Sequence, residues 1–479
     1  MIFAPQSPGP LLSPALLPAS APTPVLWRSY GSTIVCWLVI VAFVGFSAWA
    51  QARRARLVEI SAASSTSAPN LQLNVAGRAA VGEMELLAND KSPTGSANRD
   101  RLRKQFQENI TRLALSPLDK LKAVVMTREL QGPQAALRQL DEDAPILALH
   151  PELTPSTAAL RALYTEGSPA LTQQARDQLA AQLDWFGQLA ITQGQPEASP
   201  QRTAVISKAK HTMLVLIGFG SALVVALFLG FLLLILLIVL FSLGHARLKL
   251  QPAFRFDKPV FLEIFALWCL MFVLLSLAMS RWKTGHSLLL QELAYLAGSI
   301  LVALWPLCRG YTFTQIRQSL GWYRGAGIVV EMGCGALGYL AGLPLIAAGF
   351  CIMLILSKIA HATPSHPIGE EFSGPMSFTK ILSLLIVVSV AAPILEETIF
   401  RGALYFHLRR RWHVAIAAVM VAFIFAAIHP QGWTAIPLLG AIAIVLAMLR
   451  EWRGSLLASI TAHGINNAIA LLLGILVMN

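Results

Sequence analysis

Long apolar runs constrain this chain more than any other feature of its sequence. Several of them reach or exceed the roughly 20 residues an α-helix needs to cross a hydrocarbon core about 30 Å thick. Inside that core every backbone N–H and C=O must find a partner within the protein, and unbroken runs of this length meet that demand as helices. The runs lie near residues 31–50, 213–243, 260–280, 287–308, 327–357, 379–407, 413–430, 434–450 and 455–478. Composition agrees, with 55% of residues hydrophobic and only 13% charged, where soluble chains carry about 25% charged residues. The expected fold is all-α: a polytopic helical membrane protein of about nine spans, with an inserted soluble α-helical domain.

The polar insertion divides the chain. Residues 1–30 are rich in Pro, Ala and Ser and read as a flexible N-terminal lead. The apolar run at 31–51 is longer than a signal core and lacks a small-residue cleavage site, so it is expected to be a retained transmembrane anchor. Residues 52–208 form the soluble helical domain, with a disordered start over the Ser/Ala/Asn-rich stretch 61–100. Beyond it Ser116-Pro117, Gly132-Pro133, Thr154-Pro155 and Ser168-Pro169 each place Pro where a helix begins. Short helices at this spacing predict stacked hairpins. No catalytic constellation falls among them, so residues 100–200 are expected to be structural or to meet a protein partner. Membrane helices follow at 209–317, and 318–479 make the last unit.

A net charge of +12 would suggest nucleic acid in a soluble chain. Here the bases sit in short loops between apolar runs, where they set topology and meet anionic lipid headgroups, so no nucleic-acid partner is expected. One set of alternate loops holds Arg247, Lys249, Arg255, Lys258, Arg309, Arg317, Arg324, Arg409, Arg410, Arg411, Arg450 and Arg453; the other holds only Arg281, Lys283, Lys358 and Lys380. The first set is expected to be cytoplasmic, with the soluble domain on the opposite side. Arg53, Arg54 and Arg56 oppose that assignment. The five cysteines, Cys36, Cys269, Cys308, Cys334 and Cys351, show no metal or redox spacing and read as small apolar residues.

Ionisable groups at bilayer depth are costly, which makes them functional candidates. Glu396 and Glu397 follow the apolar stretch 381–395. Glu397 and Arg401, four apart on a helix, can pair; Glu396 points about 100° away and is left free to act. His429 closes another apolar segment, with Phe425 one turn earlier, and His463 and Asn467 share a face of the last span. Glu396 precedes Arg409 by 13 residues, His429 follows Arg411 by 18 and His463 follows Arg453 by 10. At about 1.5 Å per residue these groups lie roughly 20, 27 and 15 Å from the basic loops, and a kink at Pro393 can absorb the difference. Glu396 with His429 could deprotonate a water for attack on a peptide carbonyl, while His463 and Asn467 donate to the oxyanion. No cofactor is then required. Alternatively Glu396, His429 and His463 bind a zinc ion that activates the water, although HExxH is absent. Glu331, in a glycine-rich span, is expected to make a structural contact, and His361 and His366 to belong to a loop surface.

The residues also match a family. Glu396-Glu397-Thr-Ile-Phe-Arg401 fits EExxxR, Phe425-Ala-Ala-Ile-His429 fits FxxxH and His463-Gly-Ile-Asn-Asn467 fits HxxxN, in that order on successive spans. Over residues 318–479 the chain resembles the CAAX-protease and bacteriocin-processing (CPBP, or Abi) family of intramembrane endopeptidases. The resemblance implies Glu396 as the water-activating base, His429 as its partner, His463 and Asn467 at the oxyanion, and Glu397 with Arg401 as the supporting pair. It implies hydrolysis of membrane-embedded or lipidated (prenylated, CAAX-type) peptides in a lipid bilayer, with a bacterial inner membrane as the expected location. The alternatives are a proton-coupled transporter that uses Glu396 and His429 as a relay, and a non-catalytic scaffold or bacteriocin-immunity protein.

Overall fold

A computed structural model describes residues 25–64, 70–88, 90, 92–250, 254, 256–281, 288–360 and 376–478. Positions 1–24 of the expected lead, with His361 and His366, lie outside the described residues. Among the described residues every regular element is helical and there is no strand. Eight helices are long and apolar enough to span a membrane. The ninth expected span is the helix Val414–Ile428, only 15 residues long. Its early stop has a local cause. His429 precedes Pro430 and is pushed to the extended conformation (φ −75°, ψ 139°), so the helix ends short of a full crossing.

Helix α1 (Val25–Ser64) includes the expected anchor and continues beyond residue 51. The expected disordered start of the soluble domain is a correction: α2 (Leu71–Leu86) and α3 (Pro93–Leu113) cover most of it. Small residues weaken local propensity there, yet Leu73, Ala80 and Val81 bury completely or nearly so in the domain core, and tertiary packing overrides composition. Helices α4 (Pro117–Gln131), α5 (Pro133–Leu147), α6 (Thr154–Glu166), α7 (Gln173–Leu183) and α8 (Trp185–Thr192) complete that domain around Leu121, Val124, Leu160, Trp185 and Phe186. Ser116 forms a full capping box with Asp119 and Pro117 sits at the helix start, as the Ser-Pro pattern predicts. Ser168-Pro169 opens only a three-residue 3₁₀ turn.

The expected boundary at residue 208 falls inside one helix. Helix α9 (Pro200–Ser242) is a 43-residue rod that leaves the domain and enters the membrane without a break. Pro200 stands in its first turn and no other proline occurs before Ser242, so nothing stops it. Helices α10 (Val260–Arg281), α11 (Leu288–Ala303), α12 (Trp305–Cys308), α13 (Phe313–Leu320), α14 (Ile328–Ile359), α15 (Phe378–Arg409), α16 (Val414–Ile428), α17 (Ile436–Arg453) and α18 (Leu457–Met478) follow. The glycine-rich α14 lies against α9, α17 and α18. Its Gly349 lets two backbones meet, for a Cβ there would stand 2.6 Å from the Pro437 carbonyl.

The basic loops gather at one end of the bundle. Arg409 pairs with Glu451 (2.6 Å), the Lys249 N–H donates to the Glu451 carbonyl (2.9 Å), and Arg309 pairs with Glu263 (3.1 Å). Glu331 is structural, as expected: Arg453 grips both its oxygens at 2.8 and 2.9 Å. The helical domain docks at the other end. Leu71 packs with Leu384, Leu471 and Ile475, and the Thr212 hydroxyl donates to the Val477 carbonyl at 3.1 Å.

Candidate active site

Helix α15 carries the two glutamates and is not a uniform α-helix. Val387–Ala391 and Glu397–Tyr405 are π-helical, and Ala392–Glu396 between them is α-helical. Such widened turns are rare and concentrate at functional sites. Glu396 ends the α segment and Glu397 begins the second π segment, so the two carboxylates leave the helix in different directions.

Glu397 is fully enclosed. It accepts from Arg401 Nη1 at 2.9 Å, and neither side chain touches solvent. Arg401 also donates to the Ala443 carbonyl at 3.1 Å and stacks its guanidinium 4.8 Å from the centre of the Phe425 ring. The FxxxH phenylalanine therefore helps neutralise the arginine, as well as packing 4.2 Å, centre to centre, from the His429 ring. A second partner of Glu397 is His463, whose Nδ1 lies 3.0 Å from Oε1. This tie was not legible in the motif, where Glu397 has only Arg401 within helical reach.

Glu396 faces both histidines. Its Oε2 lies 3.9 Å from His429 Nε2 and 3.7 Å from His463 Nε2, and that buried oxygen makes no hydrogen bond. These separations exceed direct hydrogen bonding but suit groups bridged by one water. His429 is oriented by its other nitrogen, since Nδ1 stands 2.5 Å from the Phe425 carbonyl. A carbonyl can only accept, so Nδ1 carries a proton and Nε2 is turned toward Glu396. Glu397 orients His463 in the same sense. Glu396, His429 and His463 thus converge, with Glu397 and Arg401 behind them. Asn467 stands apart from that focus: its amide donates to the Val388 carbonyl at 2.9 Å.

Two site neighbours went unnoticed in the sequence. Glu292 on α11 faces Glu396 across the helix pair. The signal was present, an acid within the expected span 287–308. Gln51 on α1 donates to the Ala427 carbonyl at 3.0 Å, holding the end of α16 two residues from His429. Nothing local marks Gln51, because its partner is 376 residues away. Beside Glu396 a cavity of about 250 Å³ is lined by Leu296, Ile300, Trp322, Ile394, Leu395 and Thr398, with Ser299. It is almost wholly apolar, suited to an apolar side chain or lipid chain. Among the described residues no group of three or more His, Cys, Asp and Glu side chains is spaced as a metal-ligand set.

Comparison with known proteins bears on this geometry. Residues 378–469, which include all seven motif residues, match the family model of Rce1-like type II CAAX prenyl endopeptidases. An Escherichia coli protein described as an uncharacterized 24.3 kDa protein is 25% identical over 140 residues, which is 28% of this chain and 64% of that protein. The chain therefore spans less than two thirds of that relative's length. No solved structure matches. On the motif residues, their convergence and the Rce1-like match, the segment 378–469 of this multi-pass membrane protein is similar to the CAAX-protease (CPBP) family.

Proposed function

We propose that the chain is an intramembrane endopeptidase that cuts membrane-associated or prenylated, CAAX-type peptides with a water activated by Glu396. The observation that carries this reading is the convergence of Glu396 Oε2 with the Nε2 atoms of His429 and His463 at 3.9 and 3.7 Å. Glu396 takes a proton from the water as it attacks the carbonyl carbon, and returns it to the leaving amine as the C–N bond breaks. His429 accepts the water's second hydrogen at Nε2 and so aims its lone pair. His463, held by Glu397 through Nδ1, turns Nε2 toward the developing oxyanion. The cavity beside Glu396 receives an apolar group of the substrate. A bacterial inner membrane is the proposed location, and the helical domain is the proposed contact for a protein partner.

The test is Glu396→Gln in reconstituted full-length protein presented with a prenylated CAAX peptide and a panel of membrane peptides. Loss of a general base is expected to lower kcat by about 10²–10⁴ with folding intact. Cleavage that survives the change would sink the proposed base. A strong chelator separates the zinc version, in which Glu396, His429 and His463 hold the ion: the water-and-glutamate site is expected to ignore it.

A further inference from the structure

The resemblance assigns Asn467 to the oxyanion, but its amide is committed elsewhere. In the first π segment of α15 the Ala392 N–H reaches back to the Val387 carbonyl, five residues away. The next donor in that register would be Pro393, serving Val388, and proline has no N–H. In an α register Pro393 would instead serve Ser389. Either way Pro393 strips a carbonyl at membrane depth, where no water is at hand and an unpaired group is costly.

Helix α18 lies against both carbonyls and supplies a donor to the first. Asn467 Nδ2 donates to Val388 O at 2.9 Å. Gly464, three residues earlier on the same face, lies so close to Ser389 that a Cβ there would stand 2.5 Å from its carbonyl oxygen. The Asn467 amide is itself oriented. Its Oδ1 accepts from Asn466 Nδ2 at 3.1 Å, and Asn466 Oδ1 accepts from the Tyr339 hydroxyl at 3.3 Å. The nitrogen is thereby turned to α15. Glu396 stands one turn beyond Pro393, and His463 one turn before Asn467, so this clasp sets the distance between base and imidazole.

We propose that Asn467 is a positioning residue: across the close approach that Gly464 allows, it donates to the Val388 carbonyl that Pro393 leaves without a donor and so holds Glu396 against His463. This rests on the protease reading only for its activity readout. If Asn467 acts through the carbonyl, a helix supplied with its own donor no longer needs it. Pro393→Ala restores that N–H, with Pro393→Ser as a substitute should the first not assemble.

The experiment is a double-mutant cycle of Asn467→Ala and Pro393→Ala in reconstituted full-length protein, read by cleavage of the prenylated CAAX peptide and by thermal unfolding. Asn467→Ala alone is expected to lower kcat roughly 10- to 100-fold with little change in KM, because misplacement of the base by about 1 Å has that cost. In the Pro393→Ala background the same change is expected to lower kcat less than about threefold, since neighbouring effects are not additive. Equal losses in both backgrounds would overturn the proposal, because an amide acting on the substrate's oxyanion is indifferent to Pro393. If the wild type cuts nothing, the protease reading fails, and the unfolding cycle still decides the positioning role. Asn467→Ala is expected to lower the midpoint in the wild-type background and spare it in the Pro393→Ala background; equal shifts overturn the role.

Discussion

The helical domain and the membrane bundle use the same residue types in opposite places. In the domain, Leu121, Val124 and Phe186 are wholly buried, while the Arg161–Asp141 pair lies on the surface, with side chains 46% and 62% exposed. In the bundle, Phe228 is 64% exposed, while the Arg401–Glu397 pair is completely enclosed. Solvent explains the inversion. Water screens and hydrates an exposed ion pair and expels an apolar side chain. Lipid accepts the apolar side chain and offers a charge nothing, so each enclosed carboxylate needs a partner from the chain. Glu397 has Arg401 and His463, Glu331 has Arg453 and Glu451 has Arg409. Glu396 differs from these three. No arginine or lysine pairs with it among the described residues, and two imidazoles face it beyond hydrogen-bonding distance.

The largest expected effect tests that contrast directly. Glu397→Ala leaves the Arg401 guanidinium enclosed without its anion and is expected to cost about 3–5 kcal/mol of bundle stability, whereas Asp141→Ala in the domain is expected to cost about 0–1 kcal/mol. Thermal unfolding of the full-length variants in detergent reads both, and similar losses would break the comparison. Next in size is the outer face. Phe228→Arg on α9 is expected to oppose membrane insertion by about 2.5–3.5 kcal/mol if Phe228 faces lipid at mid-bilayer. Leu149, 76% exposed on the domain, is expected to tolerate Arg within about 0.5 kcal/mol. A glycosylation-mapping insertion assay for the first and unfolding for the second give the two values.

The smallest effect concerns Lys122, a domain residue that breaks the domain's own rule. Only 4% exposed, it lies 5.9 Å from the centre of the Phe186 ring. Burial holds its ammonium below the ordinary lysine range, with Asp119 and Asp184 opposing the shift. The folded form therefore sheds its proton before the unfolded chain does. Domain stability is expected to rise with pH from that lowered value to the unfolded value near about 10.4, and to level off above it. Lys122→Met is expected to abolish the rise, as measured by hydrogen exchange of α4 in the full chain between neutral and alkaline pH.

Much of this was legible from residue order. Span positions follow from run length, because the bilayer imposes one dimension on every helix that crosses it. The Glu397–Arg401 pair follows from helical spacing, which the π turn stretches without separating the two. Legibility fails where a neighbour comes from far along the chain or a local rule is overruled. Composition at 61–100 suggests disorder, and contacts with α4, α8 and α9 make most of it helical. Glu292 and Gln51 reach the site from helices outside the three motifs, and no spacing rule links them to it.

The sequence by itself determined that this chain is a helical membrane protein, which end of the bundle carries the arginines, and which seven residues form the motifs. These are properties of local periodicity, charge pattern and order. Only the tertiary structure decided that Glu396 faces two imidazoles at once, that His463 also binds Glu397, and that Asn467 answers the carbonyl freed by Pro393. Each of those contacts joins segments more than 30 residues apart, and their distances depend on how the helices widen, stop early and lean on one another.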